Sequence, residues 1–137
     1  MAMSRPPAHL GLHHIALFVA DLAISRHFWV DLLGFQVEWE PDAENLYLSS
    51  GSDNLALHRG PAATGAQHLD HVGIFCRNPT EVDAWHAWLV AHDVRIVAAP
   101  RLHRDGAYSL YCLDPDAVRV QIIHHPPITA ALEKFSS

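Results

Sequence analysis

Leu12-His13-His14-Ile15-Ala16-Leu17-Phe18-Val19 recurs 57 residues later as Leu69-Asp70-His71-Val72-Gly73-Ile74-Phe75-Cys76. Both stretches are short, apolar and rich in branched side chains, which predicts buried strands. Side chains alternate along a strand. His14, Ala16 and Phe18 therefore share one face, and His71, Gly73 and Phe75 share the corresponding face. In each copy the histidine is followed at i+2 by a small residue and at i+4 by phenylalanine. A feature repeated at matched positions in two copies is weightier than a lone strand histidine, so His14 and His71 become candidate ligands or bases.

Each strand leads into a helix. In the first copy Asp21 is placed to cap it, and Leu22, Phe28, Trp29, Leu32 and Leu33 form a stripe ending at Gly34. In the second, Asn78-Pro79-Thr80-Glu81 reads as cap, first-turn proline and capping acid. Val82, Trp85, Trp88 and Leu89 supply the stripe there, and the tryptophans read as core. Three short strands then follow in each half, about 35–39, 46–49 and 54–58, and about 94–98, 108–113 and 118–123. Turn chemistry separates them at Ser50-Gly51-Ser52-Asp53 and Asp114-Pro115-Asp116-Ala117.

The chain is thus two tandem βαβββ modules, an α+β fold, one domain over 1–137. Module one covers about 10–60 and module two about 68–125, with a C-terminal tail at 126–137. A sheet with a helix on one face needs a partner for the other. Pairing two would give a curved, half-barrel mixed sheet around a cleft, with both histidines pointing either into the cleft or under the helices.

Composition narrows the function. Nine basic against fifteen acidic residues give −6, and Lys134 is the only lysine. There is no basic run to hold nucleic acid. No uncharged apolar run is long enough to span a membrane, and the start lacks a signal peptide's apolar core. Cys76 and Cys112 are too few and too far apart for a disulfide framework or a Cys-x-x-Cys site, and both lie in apolar runs as small buried thiols. A cytoplasmic location is expected. Twelve histidines move metal and acid–base chemistry to the front. Most have bland readings. His9, His27, His86 and His92 are loop or helix-face residues, and His124-His125-Pro126-Pro127 is a solvated exit turn. His68 and His71 face opposite sides of a strand.

These segments, with Asp31-Leu32-Leu33-Gly34-Phe35 and Tyr111-Cys112-Leu113-Asp114-Pro115-Asp116, make the chain resemble the vicinal oxygen chelate superfamily. That group includes glyoxalases, bleomycin resistance proteins and extradiol dioxygenases. The resemblance covers roughly residues 10–127. It implies a divalent metal (zinc, nickel, manganese, cobalt or iron) held by His14 and His71 from the first strands. A last-strand oxygen ligand falls on Gln121, where many relatives would have glutamate. The matching position in module one is Ala56, which cannot ligate. His58, two residues along on the same face, is placed as a catalytic base or as a replacement ligand. Arg104, before the third strand of module two, is a candidate to hold a substrate carboxylate or phosphate. Glutamine is no base, and the absent carboxylate disfavours ring-cleaving dioxygenase chemistry.

The implied activity is a metal-dependent lyase or isomerase acting on a carbonyl- or carboxylate-bearing molecule. A metal-free sequestering protein is the alternative. A homodimer is expected, the modules pairing within a chain or across two. Relatives often have glycine where Ala117 stands; if that turn needs positive φ, alanine is strained there by roughly 1 kcal/mol.

Overall fold

The structure, a computed structural model, describes residues 3, 5–6, 12–61 and 69–136, with side chains described as far as residue 132. His9 and His68 lie outside the described residues. The order is β1 (His14–Val19), α1 (Leu22–Arg26), a π-helical continuation (His27–Leu32), β2 (Gln36–Asp42), β3 (Asn45–Ser49), β4 (Asn54–Arg59), β5 (Val72–Phe75), α2 (Pro79–Ala91), β6 (Ile96–Leu102), β7 (Tyr108–Leu113), β8 (Arg119–His124) and α3 (Pro126–Ser136). The two βαβββ modules are therefore present in an α+β fold.

Each module forms its own four-stranded mixed sheet, ordered β1-β4-β3-β2 and β5-β8-β7-β6. The first and last strands of a module run parallel, and the other pairs are antiparallel. Both helices begin as their sequences dictate. Asp21 Oδ1 accepts the Ile24 N–H at 3.0 Å, and Asn78 Oδ1 accepts the Glu81 N–H at 2.9 Å. Gly34, at φ +81°, follows the first helix.

Strand alternation sorts the faces. Leu17, Val19, Leu55 and Leu57 are buried on the helix side of sheet one, and Val120 and Ile122 on that of sheet two. They join Trp29, Val82 and Leu89 in one apolar cluster running through both modules. The modules thus meet through their helices. Trp88 Nε1 on α2 donates to the Leu32 carbonyl at 3.1 Å, and Asp116 Oδ1 of module two accepts the Ala20 N–H at 2.8 Å. Trp88 corrects the helical-stripe reading: it is half exposed and bridges the modules instead of filling the core. Trp29, 1% exposed, does fill it. Cys76 and Cys112 are buried and unbridged.

A further correction concerns module two. The tail is a helix, α3, so His124-His125-Pro126-Pro127 is no solvated exit turn. His124 ends β8, with Nδ1 3.3 Å from the Cys76 carbonyl, and the His125 carbonyl accepts the Thr129 N–H at 2.9 Å. Proline opens this helix because its missing N–H would have no intrahelical partner there. Ala117 does adopt positive φ, at +65°.

Candidate functional site on the open sheet faces

The histidines lie on the faces the helices leave uncovered. On β1, His14, Ala16 and Phe18 are exposed while Leu17 and Val19 are buried. On module two His71 is half-buried, and Gly73 and Phe75 are exposed. The choice between cleft and helix side is therefore settled for both histidines: each faces the open side.

Register fixes their neighbours. His14 is opposite Asn54, and Ala16 is opposite Ala56. Gly73 is opposite Gln121, so the neighbouring position in register with His71 is Arg119. Ala56 and Gln121 hold equivalent places in the two modules, as the repeat requires. His58 is opposite Phe18, four residues beyond the His14–Asn54 pair. That is about 13 Å along the strand at 3.3 Å per residue. His58 shares the face of His14 but lies too far along it to share a ligand. Its Nδ1 is 2.6 Å from Asn45 Oδ1, and its ring meets the edge of Tyr47. Arg104 is exposed in the turn between β6 and β7. Among the described residues, no group of three or more His, Cys, Asp or Glu side chains is placed to hold a metal ion. The single chain does not assemble His14, His58 and His71.

His71 precedes β5 by one residue, whereas His14 opens β1, yet each has its Nδ1 against an oxygen acceptor. His14 Nδ1 is 2.7 Å from Asn54 Oδ1, and Asn54 Nδ2 donates to Glu38 Oε2 at 2.9 Å. His71 Nδ1 is 2.6 Å from Asp70 Oδ2. Carboxylate and amide oxygens accept, so both imidazoles donate from Nδ1 and keep the lone pair on Nε2. The hydrogen bond from His71 holds the Asp70 carboxyl below the usual carboxylate range. Imidazoles fixed by an oxygen acceptor in this way are suited to bind a metal or accept a proton through Nε2.

Around His71 the face is polar and aromatic. The Tyr111 ring meets the His71 ring edge-on at 5.3 Å, and the Arg119 guanidinium lies 5.8 Å from the Tyr111 centroid. Arg119 is the cation that register sets beside His71, a neighbour that sequence reasoning did not single out. The signal was available: Arg119 lies two residues before Gln121, on the same strand face. Gln121 itself is buried, its Nε2 donating to Ser109 Oγ at 3.0 Å. Across sheet one the open face carries Phe18, His58, Tyr47 and Trp39, with Trp39 stacked on Tyr47 at 5.1 Å.

Two depressions, of about 380 and 340 Å³, lie on the helix side of the molecule. The first is lined by Phe28, Leu32, Arg95 and Asp114 among others, the second by Leu32, Trp85 and Trp88 among others. Neither includes His14, His71 or Gln121. The candidate residues His14 and His71 lie on the open faces, where one wall is the sheet itself.

Two tandem βαβββ modules, each presenting an oriented histidine on an uncovered sheet face, define a glyoxalase-like protein. A sequence model of the Glyoxalase/Bleomycin resistance protein/Dioxygenase superfamily matches residues 11–122, and the chain belongs to that family. Lactoylglutathione lyase from Agrobacterium tumefaciens superposes with a TM-score of 0.72 at 21% identity, covering 88% of this chain and 96% of that one. A glyoxalase/dioxygenase from Nostoc punctiforme gives 0.76 at 19% identity, covering 92% and 98%. An uncharacterized protein of Bacillus subtilis, YqjT, is 26% identical over 129 residues, 82% of this chain and 97% of its own length. Among the described residues, no helix is long and apolar enough to cross a membrane.

Proposed function

We propose that the protein is a divalent-metal-dependent lyase or isomerase acting on a small molecule that bears a carbonyl or carboxylate. It works as a cytoplasmic homodimer in which module one of one protomer faces module two of the other. The observation that carries this reading is the matched orientation of His14 and His71, each held through Nδ1 by an oxygen acceptor with Nε2 left on the open face. Their donor chemistry fits zinc, nickel, manganese, cobalt or iron. Gln121 would add a neutral oxygen. Among the described residues of one chain no three His, Cys, Asp or Glu side chains are gathered at a metal site, and in this reading a second copy brings His14 opposite His71. The bound metal would supply Lewis acidity toward a substrate oxygen. The chain's own part is to orient the imidazoles through Asp70 and Asn54 and to offer the Arg119 guanidinium to a carboxylate.

The test is metal analysis and sedimentation of purified protein. Wild type should be dimeric and carry or take up stoichiometric metal, and His14→Ala/His71→Ala should not take it up. Equal uptake by wild type and the double variant overturns the reading. Ala56, with no donor where its repeat partner is Gln121, favours one other reading: a metal-free protein that sequesters a small molecule on its aromatic faces. Absence of metal after soaking would support it.

A further inference from the structure

Gln121 is not free to turn. It lies on β8 between Gly73 of β5 and Tyr111 of β7. Gly73 has no side chain to cover the amide, and the nearest atom to a Cβ built there is Ile123 Cγ2 at 3.9 Å. On the other side Gln121 Nε2 meets Ser109 Oγ at 3.0 Å, and the same oxygen is 2.9 Å from His103 Nε2. Ser109 is 1% exposed. His103 reaches it because the turn after β6 folds back. The His103 N–H donates to the Ala107 carbonyl at 2.7 Å, the Gly106 N–H donates to the His103 carbonyl at 3.0 Å, and Gly106 takes φ +88°.

We propose that His103 and Ser109 are positioning residues that turn the carbonyl oxygen of Gln121, not its amide nitrogen, toward the open face beside His71. A hydroxyl has one proton to donate and two lone pairs. Buried polar groups are hydrogen-bonded, and among the described residues His103 Nε2 is the acceptor within reach of the Ser109 proton. His103 then carries its own proton on Nδ1. The chain of bonds runs one way: Gln121 N–H to Ser109 Oγ, and Ser109 O–H to His103 Nε2. Gln121 commits its nitrogen inward and is left with Oε1 to present. With the proton on His103 Nε2 that direction is lost. Ser109 Oγ would then either accept from both neighbours, its proton losing the His103 acceptor, or give that proton to Gln121, which would show its NH2, a group that repels a cation. The Nδ1-protonated tautomer of a histidine in a turn thus favours an oxygen, over an N–H, on the face beside His71. The use of that oxygen as a metal donor rests on the proposed function; its orientation does not.

The test has two arms. In the metal-free protein at mildly alkaline pH, ¹⁵N imidazole spectra should show His103 protonated on Nδ1. One Gln121 side-chain N–H should be protected from exchange, and Ser109→Ala should release both signatures. With cobalt(II) as the probe, Ser109→Ala should bind about 10- to 100-fold more weakly than wild type, the range for losing an orienting partner. Ser109→Thr, which keeps the hydroxyl on a strand, should restore most of that affinity. An Nε2-protonated His103 in wild type, or unchanged cobalt affinity in Ser109→Ala, overturns the proposal. If wild type takes up no cobalt, the metal-dependent function falls, and the first arm alone tests the orientation of Gln121.

Discussion

Replacing Ala117 by glycine should stabilise the protein, and the size of the effect follows from the turn. Asp114 builds it: its carbonyl accepts the Ala117 N–H at 3.0 Å and its N–H donates to the Val118 carbonyl at 2.9 Å. Its Oδ1 accepts the N–H groups of Asp116 and Val118, both at 2.8 Å. These bonds hold Ala117 at φ +65°. A Cβ in the left-handed region costs about 1–2 kcal/mol. Ala117 is exposed, so deleting its methyl group forfeits little packing. Glycine loses about 0.4–1 kcal/mol more backbone entropy on folding. The net gain is about 0.5–1 kcal/mol, or about 2–4 °C in melting temperature for a chain of this length. Gly34, at φ +81° with nothing within 4 Å of a built Cβ, is the mirror experiment. Gly34→Ala should lower the melting temperature by a similar amount. Calorimetry on both variants, with urea unfolding to check for an unchanged m-value, measures this. A lower melting temperature for Ala117→Gly, or a higher one for Gly34→Ala, would refute the reasoning.

Two further predictions concern the cysteines and the open faces. Burial pushes the Cys76 and Cys112 thiols up, to about 11 and about 12, from an ordinary 9.0. An acid with its folded pKa raised leaves the fold at full stability below the unfolded value, and stability falls as pH climbs toward the folded one. The melting temperature should therefore decline from about pH 9 toward pH 11. A disulfide reagent should label neither thiol until the chain unfolds; prompt labelling of native protein contradicts this. Phe18 is 68% exposed in a single protomer. In the proposed dimer it is covered, so Phe18→Asp should yield monomers in sedimentation while melting within a few degrees of wild type. A monomeric wild type, or a variant that stays dimeric, removes that interface.

The repeat made most of the fold legible, because the matching strand, cap and turn signals in its two copies confirm one another. The equivalence of Ala56 and Gln121 survived because both modules pair their first and last strands in the same parallel register. His58 illustrates what alternation leaves out. Period-two reading assigns a face correctly, but distance along the face depends on which residues pair, and His58 pairs with Phe18 rather than His14. Arg119 and Ser109 were missed for the same reason, since their significance lies in cross-strand neighbours. The tail was misread because its two prolines signal a break and also suit the first turn of a helix.

Only five glutamates occur, and none lies on the last strand of either module. No carboxylate therefore stands at the last-strand positions themselves. The structure places the charge behind the imidazoles instead. Asp70 meets His71 Nδ1 directly, and Glu38, from β2, reaches His14 through Asn54. Carboxylates in that position orient the imidazoles without occupying a coordination place. A metal held by two imidazoles and the Gln121 oxygen would keep its full dipositive charge at the face. It would therefore favour an anionic substrate oxygen more strongly than a site whose ligands are themselves carboxylates. Arg119, set beside His71 on that face, adds a second attraction of the same sign. In the proposed site, donor set and guanidinium would thus both favour a substrate that brings the negative charge with it.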